Sequence, residues 1–314
     1  MRVLISDHVF DGTDIERTIL EPLGVELTVA PDSDEETLIP LAEQADGMLV
    51  CFAPIGARVV EAAARGGCKI IARYGIGVDN VDTEAATRAG IRVTNVPDYC
   101  IEEVADHTVA LLLASARQIV DAARTVREGD WTVPHGRVHR LQGQTLALLG
   151  VGRIGHQVAK RALAFGLNVV GFDPYVSEPI EGMRMAASKE EAVAKAEFVS
   201  LHAPLTAETH HTVDDRLIEV MEHAPIIINT SRGGLVDLDA ALRGLDQGQL
   251  SGLAIDVTEV EPLPTDSRLR TDPRVVVTPH MAFYSVESTS ILQQRAADEV
   301  ARALKGLPPR SPVN

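Results

Sequence analysis

Two side chains late in the chain have the chemistry to hold a small oxygen-rich molecule and to exchange a proton with it. Arg232 is followed by Gly233 and Gly234, so a guanidinium there has room to bind a carboxylate or a ketone oxygen through two hydrogen bonds. His280 follows Pro279, and an imidazole exchanges a proton near neutral pH. Two alternatives stay open: Arg232 as a surface residue that caps the next helix, and His280 as a histidine without a chemical role.

A carboxylate beside the imidazole would favour its protonated form and fix its orientation. The segment between Asp256 and Pro262 offers two candidates, Glu259 and Glu261. Glu261 is the preferred partner of His280, but spacing in the sequence does not separate it from Glu259. The sequence therefore predicts Arg232, His280 and one of these two glutamates, preferably Glu261, as a catalytic group.

A dinucleotide-binding turn precedes these residues. The apolar run from Thr145 enters Gly150-Val-Gly-Arg-Ile-Gly155, and a second apolar run ends at Asp173, roughly 20 residues further on. The glycines allow a tight turn and the approach of a pyrophosphate to backbone N–H groups, while Asp173 can accept hydrogen bonds from an adenosine ribose. A carboxylate repels the 2′-phosphate of NADP, so NAD is the predicted cofactor. Taken alone, Asp173 can also be a turn former at a strand end.

Short β-branched runs alternate with helical stretches and would position these residues. The pattern predicts an α/β protein with mainly parallel sheets, a flavodoxin-like set of five strands followed by a doubly wound Rossmann set of six. Ligands of such sheets bind at the carboxyl ends of the strands, where His202, Thr230 to Arg232, Asp256 and His280 are expected. The predicted strands are Val3–Ser6, Val25–Ala30, Gly47–Cys51, Lys69–Ala72 and Ile91–Thr94, then one from Thr145, Asn168–Phe172, Phe198–Leu201, Pro225–Asn229, Gly252–Asp256 and Val275–Thr278.

Helical periodicity predicts one long helix from Ile101 to about Arg127 that links two domains. A protruding loop at 129–136 follows and carries Trp131, the only tryptophan, which suggests a subunit contact because an indole is costly to leave in water. A last helix from about Val286 to Gly306 is expected to return to the first domain.

Composition limits the partners. The chain has 314 residues, enough for two domains, and a net charge of -16 that would repel nucleic acid and anionic lipid. The N-terminus lacks a long apolar stretch, and no uncharged apolar run reaches membrane-spanning length, so we expect a cytoplasmic protein outside the membrane. Cys51, Cys68 and Cys100 have no metal-binding or redox spacing, which fits buried thiols in a reducing compartment.

No metal site is predicted from the histidines. They lack carboxylate or thiol companions at useful spacing, and the adjacent pair His210-His211 is expected to be solvated. The histidines considered are His202, His210, His211 and His223.

The order of the glycine turn, Asp173, Arg232, Glu261 and His280 resembles that of the D-isomer-specific 2-hydroxyacid dehydrogenases, over essentially the whole chain. Three segments, 74–80, 95–107 and 278–285, are most similar to the branch named for C-terminal-binding proteins and to its bacterial relatives. That branch usually has tryptophan where this chain has Phe283, at a position that shapes the substrate pocket.

The resemblance implies an NAD-dependent oxidoreductase that interconverts a 2-oxo acid and a D-2-hydroxy acid by hydride transfer. Arg232 would bind the carboxylate and carbonyl of the substrate, and His280, paired with Glu261, would be the acid and base. The implied substrate contacts are Tyr74, the backbone amides of Gly75, Ile76 and Gly77, Arg232 and Phe283. The implied cofactor contacts are Thr108, Gly150, Val151, Gly152, Arg153, Ile154, Gly155, Asp173, His202, Ala203, Pro204, Thr209, Thr230, Ser231, Arg232, Asp256 and His280.

The same resemblance implies a substrate-binding domain of residues 1–98 and 287–314, with an NAD-binding domain of residues 99–286 inserted in it. It implies a homodimer built on the NAD-binding domain. Phosphoglycerate dehydrogenases of the family often carry a further C-terminal domain, so a role in serine synthesis is less expected of a chain that ends at Asn314. Alternatively, the protein is an NADH-sensing binding protein of the C-terminal-binding type, with incidental turnover. Such a sensor would not need to keep Arg232, Glu261 and His280 together.

Overall fold

Buried parallel strands, each followed by a helix, form two separate sheets in this chain. The structure is a computed structural model that describes residues 1–133, 138–176 and 180–314. Its contacts divide the chain into unit 1, Met1–Tyr99 with Tyr284–Asn314, and unit 2, Cys100–Phe283. The domain boundaries predicted from the sequence follow residues 98 and 286.

The sheet of unit 1 contains five parallel strands in the order β2-β1-β3-β4-β5, the order of flavodoxin-like folds. The neighbouring inner strands β3 and β4 are buried at every position, which explains why their residues are apolar in the sequence except for Arg73 at the end of β4. The strands are β1 Arg2–Ile5, β2 Glu26–Val29, β3 Gly47–Val50, β4 Ile70–Arg73 and β5 Arg92–Thr94.

The last helix of the chain packs on the sheet of unit 1. A Cβ built at Gly47 would lie 3.2 Å from Val300 of this helix, so the glycine makes room for it. The Gln293 side chain donates to both carboxylate oxygens of buried Glu16, at 3.2 and 3.1 Å. The helices of unit 1 are α1 Asp14–Leu20, α2 Glu35–Ala42, α3 Ala57–Gly66, α4 Thr83–Ala89 and α11 Val286–Leu304.

The sheet of unit 2 contains seven parallel strands in the order β12-β11-β10-β9-β6-β7-β8, and this doubly wound arrangement confirms the predicted fold class. The sequence predicts six strands. The seventh, β8, is an edge strand of three residues, too short to show a periodic pattern. The strands are β6 Thr145–Leu149, β7 Asn168–Phe172, β8 Met183–Met185, β9 Phe198–Leu201, β10 Ile226–Asn229, β11 Gly252–Ile255 and β12 Val275–Val277.

The long helix predicted over residues 101–127 is two helices. The chain breaks at Gln118, whose φ of 51° lies in the left-handed region and ends the helical path. The residues at the break, Ala116, Arg117 and Gln118, all have high helix propensity, which is why the sequence predicts a single helix. The helices of unit 2 are α5 Ile101–Ala116, α6 Ile119–Arg127, α7 Arg153–Ala164, α8 Lys189–Val193, α9 Asp215–Glu219 and α10 Leu238–Asp246.

None of the helices in the described residues is both long and apolar enough to cross a membrane. Part of the loop predicted at 129–136, residues 134–136, lies outside the described residues, whereas Trp131 is described and is 89% exposed.

Candidate active site

The turn between β6 and α7 is packed so tightly that only glycine fits at two positions. Gly150 has a φ of 97°, and a Cβ built on it would lie 2.5 Å from the carbonyl carbon of His202. A Cβ on Gly155 would lie 2.6 Å from the carbonyl oxygen of Gly150, so strand and helix meet at backbone distance. The turn therefore lies directly against the residues that follow β9.

The outer side of this turn is open. A Cβ built on Gly152, the N-cap of α7, would meet no atom within 4 Å, which leaves space for a group to approach the first N–H groups of the helix. The carboxylate of Asp173 lies beside the turn, where it accepts hydrogen bonds from the N–H groups of Val151 and Tyr175, each at 2.9 Å. An open glycine turn with a carboxylate beside it fits the pyrophosphate and ribose of a dinucleotide.

Hydroxyl groups from several predicted cofactor contacts bond to one another or to nearby carbonyls. The Thr108 and Thr230 hydroxyls lie 2.8 Å apart in a buried pair. The Ser231 hydroxyl donates to the carbonyl of Leu201 at 2.7 Å, and that of Thr209 donates to the carbonyl of Pro204 at 2.6 Å. These bonds hold the loops after β9 and β10 in fixed conformations.

His202 is held as a neutral side chain. Burial lowers its pKa to about 4, and its Nε2 lies 2.9 Å from the Ser200 hydroxyl. Its Nδ1 is buried and has no hydrogen-bond partner among the described residues. Such an atom indicates that a further polar group belongs next to this histidine.

Asp256 anchors the loop that carries the candidate acid–base residue. Its buried carboxylate accepts hydrogen bonds from the Thr278 hydroxyl at 2.5 Å and from the N–H groups of Met281 and Ala282 at 2.9 and 2.8 Å. His107 completes this group, with Nε2 at 3.0 Å from the Thr278 hydroxyl and 3.6 Å from the Asp256 carboxylate. The sequence singles out Asp256 but not His107, since no motif marks a helical histidine 149 residues away from its partner.

His280 has a backbone conformation that is unusual for its type. Its φ of 50° lies in the left-handed region, and its N–H is held by the carbonyls of Asp256 at 2.8 Å and Thr278 at 3.1 Å. Its Nδ1 lies 2.6 Å from Oε2 of Glu261, at ion-pair distance. The side chain is 23% exposed, and its contact with Glu261 orients the imidazole through Nδ1.

The structure shows which of the two candidate carboxylates is the partner of His280. Glu261 pairs with His280, whereas Glu259 pairs with His211, also at 2.6 Å. Burial of Glu261 opposes its ionisation, but the hydrogen bond to His280, the charges of His280 and Arg232, and the N–H of Thr258 lower its pKa overall. Glu261 is therefore a carboxylate at neutral pH.

The turn that carries Arg232 lies against the loop that carries Glu261. A Cβ on Gly233 would lie 2.1 Å from the backbone carbonyl carbon of Thr258, so a side chain there cannot be placed without moving one of the two. The Asn229 side chain donates to the carbonyl of Arg232 at 2.7 Å and fixes the turn. Arg232 is half-buried and lies near enough to contribute to the lowered pKa of Glu261.

Phe283 and the loop after β4 are the other predicted substrate contacts. The ring of Phe283 lies edge-on to that of His280, with centroids 6.3 Å apart.

In unit 1, Gly75 has a φ of 150°, and a Cβ there would overlap the Arg73 side chain. The Tyr74 side chain is buried in unit 1 and its hydroxyl donates to Glu16 at 2.7 Å, so this side chain is committed to the interior of that unit.

Unit 2 thus brings together Arg232, Glu261, His280 and Phe283, and its glycine turn meets the loop after β9. A doubly wound sheet with this turn and Asp173 defines a dinucleotide-binding α/β protein. Residues 109–282 match the family model described as D-isomer specific 2-hydroxyacid dehydrogenase, NAD binding domain. The chain belongs to this family and contains its NAD-binding domain, which confirms the predicted family and cofactor.

Relatives agree with this assignment. The chain is 38% identical over 293 residues to a glyoxylate reductase of Korarchaeum cryptofilum, a match that covers 91% of the chain and 87% of the relative. It is 36% identical over 310 residues to a D-3-phosphoglycerate dehydrogenase of Methanocaldococcus jannaschii, which covers 98% of the chain but only 58% of the relative. The solved D-lactate dehydrogenase from Aquifex aeolicus, complexed with NAD and lactic acid, has a TM-score of 0.88 and 27% identity, with 97% of this chain and 96% of that chain covered.

Proposed function

We propose that the protein is an NAD-dependent D-2-hydroxyacid dehydrogenase that interconverts a 2-oxo acid and a D-2-hydroxy acid. The observation that carries this proposal is the 2.6 Å pair of His280 and Glu261, placed beside Arg232 in the NAD-binding unit. A binding protein needs the glycine turn and Asp173, but it needs no oriented imidazole next to a guanidinium.

Each of the three side chains has a separate task in the proposed reaction. Arg232 binds the substrate carboxylate and polarises the carbonyl oxygen, because a guanidinium offers several N–H donors in one plane. His280 donates its proton to the carbonyl oxygen during reduction and accepts the proton in the reverse direction. Glu261 stabilises the imidazolium and holds its ring through Nδ1. The bound cofactor supplies or accepts the hydride at its nicotinamide ring.

We also propose unit 1 as the substrate-binding domain and unit 2 as the NAD-binding domain. Within the described part of the chain, the N–H groups of Ile76 and Gly77 have no hydrogen-bond acceptor. Consecutive amides of this kind form a nest that suits an anion such as a carboxylate. This feature supports the role of Gly75, Ile76 and Gly77 implied by the family resemblance.

A homodimer formed through unit 2 and a cytoplasmic location complete the proposal. No residue of α6 is buried, and Ile119, Val120 and Trp131 are exposed apolar side chains close together in sequence. Such a surface favours association with a second copy of the chain. Sedimentation of the W131D variant tests the dimer, because a monomer is expected if Trp131 is at the interface.

The proposed cytoplasmic location is supported by the three cysteines, which are buried thiols as in proteins of reducing compartments.

A panel of 2-oxo acids with NADH, followed by absorbance at the reduced-nicotinamide band, tests the activity. The panel includes glyoxylate, pyruvate and a phosphorylated hydroxypyruvate, which are the 2-oxo acids implied by the names of the relatives. The H280A variant is the matched control. We expect at least one acid to be reduced and H280A to lose roughly a hundredfold or more in turnover while still binding NADH. NADH binding without reduction of any acid would favour the NADH-sensing alternative of the C-terminal-binding branch.

A further inference from the structure

Two adjacent histidines meet, at the surface of unit 2, a glutamate that is distant from them in the sequence. One nitrogen of His210, one nitrogen of His211 and one oxygen of Glu259 all lie within 4.8 Å of one another. Among the described residues, no other group of three or more such side chains is as close together. The sequence predicts no metal site because the histidine pair lacks a carboxylate at useful spacing, whereas the fold brings Glu259 to it across 48 positions.

The backbone explains why two consecutive histidines face the same way. Neighbouring side chains of an extended chain point in opposite directions, but His211 has a φ of 52°, in the left-handed region. Its N–H donates to the carbonyl of Gly234 at 2.8 Å, which ties this conformation to the turn after Arg232. As a result the rings of His210 and His211 stack with centroids 3.9 Å apart.

Glu259 is held opposite the two rings by the tight packing of its own loop. The Cβ position of Gly233 lies 2.1 Å from the carbonyl carbon of Thr258 and 2.3 Å from the nitrogen of Glu259, so this loop packs directly on the turn after Arg232. One carboxylate oxygen lies 2.6 Å from Nε2 of His211 and 3.8 Å from Nε2 of His210. All three side chains are at least one-third exposed, so they can adjust by rotation around a bound ion.

We propose that His210, His211 and Glu259 form a binding site for one divalent transition-metal ion, with Zn²⁺ as the representative ligand. Two imidazoles and one carboxylate are a ligand set that zinc sites use, with water in the fourth position. Imidazole nitrogen favours zinc, copper or nickel over Mg²⁺ and Ca²⁺, which prefer oxygen ligands. Bonds of about 2.1 Å in a tetrahedral site place ligand atoms roughly 3.4 Å apart, between the two separations observed here.

Binding of the ion replaces a contact within the group. The 2.6 Å contact between His211 and Glu259 has to open, because a ligating imidazole offers its nitrogen lone pair to the metal ion. The proposal does not depend on the dehydrogenase function, since zinc binding is measured without substrate or NADH.

A second histidine–glutamate pair provides the matched control. His223 and Glu197 lie 2.9 Å apart in the same unit and are partly exposed, but no third ligand from the described part of the chain completes a site there. If a single exposed pair were enough to bind zinc, both pairs would bind it. If three ligands are needed, only the group that contains Glu259 will.

The experiment is calorimetric titration of Zn²⁺ into the full-length protein without an affinity tag, after removal of metal with a chelator. We expect one zinc per chain, affinity reduced at least tenfold in H210Q and E259Q, and parental affinity in H223Q. Circular dichroism in chelator confirms that each variant is folded. No binding by the parent at 100-fold excess of zinc, or equal affinity in the parent and E259Q, would overturn the proposal. Equal weakening in H223Q would show that zinc binds surface histidines without selection, which also overturns it.

Discussion

Replacing Glu261 with glutamine tests the central pair most directly. The substitution keeps the size of the side chain and a hydrogen-bonding oxygen, but it removes the charge that stabilises the imidazolium of His280 at 2.6 Å. We expect E261Q to lower turnover with little change in the affinity for NADH, because the lost interaction acts on the proton donor rather than on the cofactor.

The size of the effect follows from the contact. A hydrogen bond to a charged group contributes roughly 1.5–3 kcal/mol and one between neutral groups roughly 0.5–1.5 kcal/mol. The difference is about 1–1.5 kcal/mol, and the 34% exposure of the Glu261 side chain places it toward the lower value. At about 1.4 kcal/mol for each factor of ten, turnover should fall roughly five- to tenfold.

The assay is steady-state reduction of the best 2-oxo acid at saturating NADH, in buffer with a chelator. E259Q is the matched control, because Glu259 pairs with His211 at the same 2.6 Å distance but does not contact His280. We expect E259Q to stay within twofold of the parent. An E261Q enzyme with parental turnover, or an E259Q enzyme impaired as severely as E261Q, would refute the assignment of Glu261.

Three further predictions concern the turn, the cofactor and acid stability. G233A should lower the free energy of unfolding by roughly 1–3 kcal/mol and reduce turnover, since its Cβ would lie 2.1 Å from Thr258; urea unfolding and kinetics measure both. D173A should lower the affinity for NADH at least tenfold in a fluorescence titration, because a ribose-binding carboxylate is lost. It should also reduce the preference for NADH over NADPH. Hydrogen bonds from Arg268, then from Arg274, lower the pKa of Asp246 to about 2, so its contribution to stability is present above its ordinary value of 3.8 and is lost as pH falls toward 2. D246N should therefore flatten the fall of the melting temperature between pH 4 and 2.

Each of these predictions has a contrasting result. A Cβ on Gly12 would meet nothing within 4 Å, so G12A should leave the free energy of unfolding within about 0.5 kcal/mol, and an equal loss in G12A and G233A would contradict the packing argument. Tighter binding of NADPH than of NADH by the parent would contradict the role of Asp173. If the melting temperature of D246N falls between pH 4 and 2 as steeply as that of the parent, the acid-sensitive contacts lie elsewhere.

Strands and the cofactor turn are the part of the fold that can be predicted from sequence. Strands such as Gly252–Ile255 are buried at every position, so their pattern is a short continuous apolar run between polar segments. The glycines at 150 and 155 are required by backbone contacts below 3 Å, which no other residue type allows. Where a physical constraint admits only one residue type, the sequence records it.

Pairings between side chains depend on geometry that the sequence does not record. The choice between Glu259 and Glu261 is made by the path of a loop packed on Gly233, not by their spacing from His280. His107 supports the Asp256 group from a helix far away in the chain, and His211 meets Glu259 across 48 positions. The break at Gln118 is likewise a local backbone conformation that the helix-forming residues before it do not reveal.

Unit 1 is assembled from both ends of the chain, and this has a consequence for synthesis on the ribosome. Glu16, which lies near the beginning, is buried with Gln293 of the last helix, so the first 99 residues emerge long before their packing partner is made. Unit 2 is contiguous and can fold as soon as Phe283 has left the exit tunnel. A nascent chain arrested at the point where Phe283 has just left the tunnel should show a protease-resistant unit 2 and a cleavable N-terminal segment. The order of maturation along this polypeptide is thus the reverse of its order of translation.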